Sequence, residues 1–384
     1  MRISFAATNP CHVWQMAMAL SARQALGVYY SGYPRWRLPG ADGMELRCHS
    51  FRTLITYFLH GKVPERWRPP NRALFRWQDE GFDRWVAKVL QPSDFLHGIP
   101  GQCRDSFKMA KHLGICTVLN HATGPAGQVA KILQPEYDRL GMTVSKEGGI
   151  DDTYLSRLAE ECVLADIHCC ASSVVREQLI SEGIDERIIW VVPYGADATV
   201  WNPGTRRRPR KPREVFRVLF AGQLSLRKGI RHLLTALETA GDVSWQLNVI
   251  GPILEETRHD RQAYTGTVPV IYHGAISQSA LARAMRESDL LVVPSLEDGF
   301  GLVVVQALAC GLPCAVSSMV GAKDMITENV NGSIFSLNDA QSLLATLKRW
   351  ANEPRRVSGD WGWDKPADHL LKLSRALISN TGQP

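Results

Sequence analysis

Short apolar runs alternate along the whole chain with longer segments in which apolar residues recur at helical spacing. The runs have the length of strands buried on both faces, and the spaced segments are typical of helices packed against a sheet. The predicted strands are residues 3–7, 28–30, 94–97, 116–119, 167–171, 188–192, 215–221, 245–250, 270–274, 289–293 and 314–317. Because strands that alternate with helices pair in parallel, the sequence predicts an α/β fold.

The alternation pauses after residue 192 and restarts at Val215. The turn Pro193–Asp197 and the proline-rich, basic segment 203–214 lie in the pause, and both are typical of a connector between domains. A chain of 384 residues is long enough for two cores. The predicted units are a domain at 1–195, a domain at 196–360, and a C-terminal segment at 361–384 with an amphipathic helix at 366–379.

Two stretches of the first domain carry more specific predictions. Residues 12–26 have helical spacing and Gly27 follows them, so a helix is expected to run from His12 to Leu26. Residues 47–90 are rich in Arg, Lys, Trp and Phe, and prolines within them predict a division into two helices.

The composition of residues 47–90 has three interpretations. It is typical of an interfacial helix on an anionic membrane. It is also typical of a groove for an acidic glycan or a nucleic acid. In the third interpretation the aromatic side chains face the core and the arginines form a solvated surface. We keep an anionic membrane as the hypothesis for a partner of this region, and we expect no nucleic acid.

The overall composition is that of a soluble globular enzyme, with 45% hydrophobic and 21% charged residues. No apolar run reaches the roughly 18 residues that span a bilayer, and Asn9-Pro10 interrupts the apolar N-terminus before a signal-peptide core forms. The nine cysteines are scattered without C-x-x-C pairs. We therefore expect a reduced, cytoplasmic protein without a zinc site.

The segment 294–313, PSLEDGFGLVVVQALACGLP, combines the end of a buried strand, a glycine loop and a helix. Backbone amides at the start of a helix favour an anion, and Gly299 and Gly301 let a ligand approach the main chain. Asp298 and Gln306 are eight positions apart, so they are placed to contact two polar parts of one ligand. An ordinary strand–loop–helix unit without a ligand is the alternative.

This segment resembles the motif of family 4 glycosyltransferases of the GT-B fold, which has a carboxylate, Gly-Phe-Gly, and a second carboxylate eight positions after the first. Asp298 and Gln306 stand where glutamates are usual, and Glu297 is a partial substitute for the first of them. The resemblance implies two Rossmann-like domains that face each other across a cleft, with a C-terminal helix that crosses back to the first domain. It also implies that Asp298 contacts donor-sugar hydroxyls and that Gln306 holds the ribose.

Further implied positions come from the same resemblance. The loop 222–230, GQLSLRKGI, resembles the family's Gly-Arg-Leu…Lys-Gly loop, in which cations grip the donor diphosphate, with Gln223 in place of the arginine. The implied donor-binding residues are Gly222, Gln223, Arg227, Lys228, Gly274, Ile276, Glu297, Asp298, Gly299, Phe300, Gly301, Leu302 and Gln306.

The first domain contributes fewer implied site residues. His121 follows a predicted strand where the family places a histidine that touches the donor sugar, and a histidine bonded to local backbone is the alternative. Asn9 and His12 follow the first strand and are candidates to meet the acceptor, with helix capping as the alternative for His12. His121, Lys228 and Asp298 are the implied catalytic residues.

The expected function is transfer of a sugar from a UDP or GDP donor to a hydroxyl of a glycan or lipid-linked acceptor, with retention implied by the resemblance. No D-x-D pair occurs in the sequence, so we expect neither a metal nor a cofactor. The protein is expected in the cytoplasm, with peripheral attachment to the inner face of the membrane as an option. A non-catalytic, nucleotide- or sugar-binding remnant of the fold is the main alternative. A nucleotide-sugar epimerase and a dinucleotide oxidoreductase are weaker ones, and the latter lacks its G-x-G-x-x-G motif.

Overall fold

The computed structural model describes residues 1–142, 152–204, 215–241, 243–337 and 339–381. Within these ranges the chain forms two parallel sheets, each covered by helices. Most of the predicted basic connector, 205–214, lies outside the described residues.

The first sheet has seven strands among the described residues, in the order β3-β2-β1-β4-β5-β6-β7. They are β1 (Ile3–Ala7), β2 (Leu26–Ser31), β3 (Leu46–Cys48), β4 (Phe95–Gly98), β5 (Cys116–His121), β6 (Ile167–Cys170) and β7 (Ile189–Val191). The helices of this half are α1 (His12–Ser21), α2 (Phe51–Lys62), α3 (Asn71–Val89), α4 (Arg104–His112), α5 (Ala126–Arg139), α6 (Asp152–Leu164) and α7 (Ser173–Ser181).

The second sheet has six strands in the described part of the chain, in the order β10-β9-β8-β11-β12-β13. They are β8 (Phe216–Ala221), β9 (Trp245–Ile250), β10 (Val270–Gly274), β11 (Leu290–Val293), β12 (Cys314–Ser317) and β13 (Gly332–Phe335). Its helices are α8 (Ile230–Glu238), α9 (Glu255–Ala263), α10 (Gln278–Glu287), α11 (Leu302–Ala309) and α12 (Ala340–Asn352), and α13 (Asp364–Thr381) ends the described chain.

Both sheets reverse their direction of winding beside their first strand, so each has a crevice at the carboxyl ends of its central strands. The two crevices face each other and are joined by direct contacts. The hydroxyl of Ser172 donates to the carbonyl of Gly299 at 2.6 Å, and the Tyr137 hydroxyl donates to the Glu256 carboxylate at 2.8 Å. The predicted α/β class with two facing Rossmann-like domains is confirmed.

The last helix, α13, returns to the first half, as predicted. Arg23 at the end of α1 forms ion pairs with Asp364 and Asp368 of α13, at 2.9 and 2.6 Å. His369 lies 3.1 Å from the carbonyl of Val191 at the end of β7. These contacts tie the C-terminal helix to the first domain at two places, after α1 and at the edge strand β7.

The predicted helix from His12 to Leu26 was wrong at its end. Helix α1 ends at Ser21, and Leu26 is already the first residue of β2, where it pairs with Ile3 of β1. Gln24 between them has a positive φ of 55°, which breaks the helix. The apolar spacing continues past the break because the side chains of β2 are buried on both faces of the sheet.

Residues 47–90 form two helices, as predicted, and the short strand β3 at their start was missed. The aromatic side chains are divided between two environments. Phe82 is buried in the core, whereas Phe51, Phe58 and Trp67 are exposed. The interpretation that the aromatic residues face the core therefore holds for Phe82 of α3, but it is wrong for Trp77 of the same helix and for α2. Within the described ranges, no helix is both long and apolar enough to cross a bilayer.

Candidate active site

The loop between β11 and α11, residues 294–301, lies in the crevice of the second sheet. Gly301 caps α11 with a φ of 85°, a conformation that strongly favours glycine. The loop is fixed on one side by residues 320–322. The amide of Gly321 donates to the carbonyl of Asp298 at 2.9 Å, and the amide of Ala322 donates to the carbonyl of Phe300 at 2.6 Å. The main chain of the loop is thus held rigidly before any ligand arrives.

Two ion pairs join this loop to the loop after β8. Lys228 Nζ lies 2.6 Å from Asp298 Oδ2, and Arg227 Nη1 lies 2.8 Å from Glu297 Oε2. Gly229 makes this approach possible, because a Cβ there would lie 1.8 Å from the carbonyl oxygen of Pro294. The structure therefore brings together two cations and two carboxylates that are seventy positions apart in the chain.

The two carboxylates differ in accessibility. Glu297 is fully buried, and burial raises its pKa while the neighbouring Arg227 offsets part of that effect. Its Oε1 atom has no hydrogen-bond partner among the described residues. Asp298 retains 12% of its side-chain surface. Of the two, Asp298 is therefore the one that a ligand in the crevice reaches.

His121 ends β5 on the opposite side of the crevice. Its Nε2 lies 2.9 Å from Nδ1 of His168, and the two rings are stacked with centroids 5.2 Å apart. Its hydrogen-bond partner is thus a side chain and not local backbone. Burial, and then the neighbouring His168, lower the pKa of His121 to about 3, so both rings are neutral at physiological pH.

The residues after His121 contact the loop of the second domain. A Cβ on Gly299 would lie 2.5 Å from the carbonyl oxygen of Ala122. Glycine is therefore required where the two crevices meet. This contact places His121 beside the loop that carries Asp298.

The candidate acceptor residues lie near a small aromatic cluster. His12 is stacked on Tyr194 with ring centroids 4.3 Å apart, and Tyr194 also contacts Phe300 at 4.9 Å. Burial lowers the pKa of His12 to about 4. Cys11 is the N-cap of α1 and no side chain caps it, so the capping interpretation of His12 was wrong. Asn9 accepts a hydrogen bond from the Tyr57 hydroxyl at 3.3 Å.

The remaining donor-side positions are more open. Gln223, Ile276 and Leu302 are exposed, and Gln306 is half-buried on α11. Ile276 borders a cavity of about 450 Å³ between the second sheet and α10. Gly222 directly follows β8 and Gly274 ends β10, and both have a positive φ.

Sequence reasoning missed three residues that organise the crevice. His168 contacts His121, and Ser172 contacts Gly299. Tyr194 links His12 to Phe300. The signal for His168 was its place in a strand next to β5, since neighbouring parallel strands end at the same edge of the sheet. Tyr194 had no local signal, because its contacts come from three separate parts of the chain.

The geometry defines the GT-B class, and comparison with solved structures supports this for the whole chain. Sucrose-phosphate synthase from Thermosynechococcus elongatus is 19% identical, with a TM-score of 0.67 over 99% of this chain and 100% of its own. Anabaena Alr3699/HepE, solved in complex with UDP and glucose, is 14% identical, with a TM-score of 0.63 over 100% and 99% of the two chains.

The family follows from the second half of the chain. Residues 203–360 match the family described as Glycosyl transferases group 1. The resemblance found in the sequence is thereby confirmed for this part of the chain.

Curated relatives are similar over part of their length. D-inositol 3-phosphate glycosyltransferase of Paenarthrobacter aurescens (strain TC1) is 26% identical over 226 residues, which are 53% of this chain and 55% of the relative. Lipopolysaccharide 1,6-galactosyltransferase of Salmonella typhimurium is 29% identical over 200 residues, which are 49% of this chain and 54% of the relative. The chain thus spans about half the length of these relatives.

Proposed function

We propose that this protein transfers a sugar, with retention of configuration and without a metal, from a nucleotide diphosphate donor to a hydroxyl of a glycan or lipid-linked acceptor. The observation that carries the proposal is the pairing of Lys228 with Asp298 at the start of α11. A cation, a carboxylate and helix amides there provide groups for both the diphosphate and the sugar of one donor.

The second domain binds and activates the donor. Lys228 and Arg227 offset the charge that builds on the diphosphate as the glycosidic bond breaks. Asp298 accepts hydrogen bonds from sugar hydroxyls, and Gln306 hydrogen-bonds the ribose. Asp298 pairs with Lys228 and holds its ammonium group in position. The donor phosphate therefore competes with Asp298 for that ammonium group.

The reaction needs no protein nucleophile in this proposal. The leaving phosphate receives the acceptor proton on the same face of the sugar that it leaves, and the protein supplies positioning and electrostatic stabilisation. Neutral His121 contacts the sugar from the first domain. The two cations and the amides of α11 perform the charge neutralisation that a metal performs at D-x-D sites.

The donor base is proposed to be uracil, with guanine as the second choice, because Anabaena Alr3699/HepE was solved with UDP and glucose. The acceptor is proposed to reach the crevice past Asn9 and His12. Its class, a phosphorylated polyol, a glycan or a lipid-linked sugar, is suggested by the names of the inositol phosphate and lipopolysaccharide relatives. We propose that the reaction takes place in the cytoplasm, with peripheral attachment to the inner face of the membrane as an option.

Thermal unfolding with UDP, GDP or ADP, in the absence of added metal, tests the donor site. UDP at roughly 100 times its dissociation constant is expected to add about 2.7 kcal/mol to the free energy of unfolding, because it binds only the folded state. The transition temperature is measured for each nucleotide separately, with EDTA present as the metal control. A shift that requires added divalent cation would contradict metal independence.

Two outcomes bear on the remnant alternative. Absence of a shift with all three nucleotides would favour a protein that has lost its donor site through the changes at Asp298 and Gln306. Transfer of radiolabelled sugar by the wild-type protein would end that alternative.

We further propose that helix α2 attaches the protein to an anionic membrane. Its buried face is polar, with Thr53 and Thr56, whereas Phe51 and Phe58 are 68% and 62% exposed. This reverses the usual orientation of a surface helix. Lys62 and Arg66 are exposed nearby, so apolar and cationic groups lie together, as at a membrane interface.

Sedimentation with vesicles of phosphatidylglycerol and phosphatidylcholine tests this attachment. The wild-type protein is expected to pellet with the vesicles at low salt, and the double variant Phe51→Ser, Phe58→Ser is expected to remain in the supernatant. The matched control is Leu113→Ser, Val163→Ser, which removes two exposed apolar side chains elsewhere on the first domain. Equal pelleting of both variants would remove α2 from the proposal.

A further inference from the structure

Glu256 lies in the first turn of α9, and its two carboxylate oxygens bind groups from different domains. Oε1 accepts a hydrogen bond at 2.9 Å from the amide of Leu226, in the loop after β8. Oε2 accepts a hydrogen bond at 2.8 Å from the hydroxyl of Tyr137, on α5 of the first domain. One side chain therefore connects α5 with the loop that carries Arg227 and Lys228.

Tyr137 is well suited to donate to this carboxylate. Its side chain is buried. Burial, and then the hydrogen bond to Glu256, raise the pKa of Tyr137 to about 12, so the hydroxyl keeps its proton at neutral pH. A hydrogen bond to a charged acceptor is stronger than one between neutral groups. The bond between Tyr137 and Glu256 is therefore a strong contact between the two domains.

The loop after β8 turns around Leu226. The carbonyl of Leu226 accepts a hydrogen bond from the amide of Gly229 at 2.9 Å, and its amide is the one that Glu256 binds. Lys228 lies inside this turn, and its amide donates to the carbonyl of Ser225 at 3.1 Å. Because Leu226 is bonded at both its amide and its carbonyl, the position of Glu256 influences where the ammonium group of Lys228 is held.

Apolar packing joins the same elements. Leu226 is buried in a cluster with Leu133 and Tyr137 of α5, and Leu296 packs against this cluster. Leu296 belongs to the loop between β11 and α11. Helix α5 of the first domain therefore packs against both of the loops whose ion pairs form the candidate donor site.

We propose that Glu256 is a positioning residue, which couples the contact of α5 with the second domain to the placement of Lys228 against the donor diphosphate. The role in donor binding rests on the proposed function, whereas the link from Tyr137 through Glu256 to the loop does not. In this arrangement Glu256 acts through the main chain of Leu226 and not by contact with the donor.

Hydrogen exchange in the ligand-free protein tests the link without any substrate. Tyr137→Phe removes only the hydroxyl, and the backbone amides of residues 224–229 are expected to exchange about fivefold faster, the effect of one ordinary hydrogen bond. Mass spectrometry of peptides that cover this loop measures the change. Unchanged or slower exchange would overturn the proposal, whether or not the wild-type protein binds a nucleotide.

The dissociation constants of UDP and of uridine test the consequence for the donor. In Tyr137→Phe the constant for UDP is expected to rise about fivefold, whereas that for uridine stays within about twofold, because Lys228 acts on the phosphates. An unchanged constant for UDP, or equal weakening of both ligands, would overturn the positioning role. If the wild-type protein bound no UDP, the proposed function would fail, while faster exchange would still establish the link.

A double-mutant cycle tests whether Glu256 transmits the effect. Glu256→Ala is expected to weaken UDP binding at least as much as Tyr137→Phe, because both hydrogen bonds of the carboxylate are lost. Adding Tyr137→Phe to Glu256→Ala is expected to change the dissociation constant of UDP by less than about twofold. A further fivefold loss would show that Tyr137 acts independently of Glu256 and would overturn the proposal.

The matched control is Tyr264→Phe. Tyr264 is the C-cap of α9, and its hydroxyl donates to the carbonyl of Val268 at 3.0 Å within the second domain. The substitution removes one hydroxyl beside the same helix and leaves the link to α5 intact. Loop exchange and the dissociation constant of UDP are expected to stay within about twofold of wild type. A change as large as in Tyr137→Phe would mean that general loosening of α9, and not the link between domains, positions the loop.

Discussion

Replacing Lys228 with methionine is expected to reduce the rate of sugar transfer by about 100- to 1,000-fold, the cost of removing one preorganised group that stabilises developing charge. Methionine keeps most of the aliphatic length and removes only the ammonium. The effect is expected mainly in kcat, because the diphosphate carries its greatest negative charge when the glycosidic bond breaks. Steady-state kinetics with the donor identified by thermal unfolding measures it.

Nucleotide binding provides a second test of the Lys228→Met variant. In Lys228→Met the thermal shift produced by UDP is expected to shrink, whereas the smaller shift produced by uridine is expected to persist. This pattern follows because Lys228 acts on the phosphates and not on the base. Equal loss of both shifts would contradict a role on the diphosphate and indicate a general disturbance of the loop.

The control is Lys111→Met in the first domain. Lys111 also forms an ion pair at 2.6 Å, with Asp166, but at the far end of the strands. The substitution is chemically identical and lies away from the crevice. Activity of this variant within about twofold of wild type would assign the loss at position 228 to its place in the site.

The strands of both sheets were predictable because they are buried on both faces. β11 and β12, for example, are entirely buried and read as continuous apolar runs. β3 was missed because it has three residues at the edge of the first sheet and no apolar run. The end of α1 was missed because the apolar pattern of a helix and of a buried strand can continue into each other without a change in composition.

The site was predictable to the extent that it depends on local motif and not on pairing across the chain. Asp298 and Lys228 each belong to a loop between a strand and a helix, so their position at the carboxyl edge followed from the alternation. The ion pair between Lys228 and Asp298 could not be predicted from the sequence, because seventy positions separate the two residues. The same holds for His121 and His168, and for the stacking of His12 on Tyr194.

A buried ion network in the first domain also joins residues that are far apart in the chain. We expect its disruption to have the largest effect on stability. Arg157 of α6 is 4% exposed and pairs with Asp83 of α3, which is completely buried. Arg157 Nε also lies 3.2 Å from the buried carboxylate of Glu161. The two carboxylates accept hydrogen bonds from the first amides of α4, so the network fixes three helices together.

Arg157→Met is expected to lower the free energy of unfolding by about 3 to 5 kcal/mol, because two buried carboxylates are left without their cation. Urea denaturation at neutral pH measures this change. The control is Arg283→Met, which breaks an exposed pair with Glu287 at 2.9 Å and is expected to change the free energy by less than about 0.5 kcal/mol. A loss below about 1 kcal/mol in Arg157→Met would mean that water solvates the carboxylates in the variant.

The pH dependence of this variant has a definite sign. Burial already raises the pKa of Glu161 in the folded protein, and Arg157 opposes that rise. Removing Arg157 raises the pKa further, so the folded variant binds a proton that the unfolded chain releases more readily. Its stability therefore increases as the pH falls from the raised folded pKa toward the ordinary glutamate value. The difference in the free energy of unfolding between wild type and Arg157→Met should therefore shrink over that pH interval. A packing defect alone would leave this difference constant.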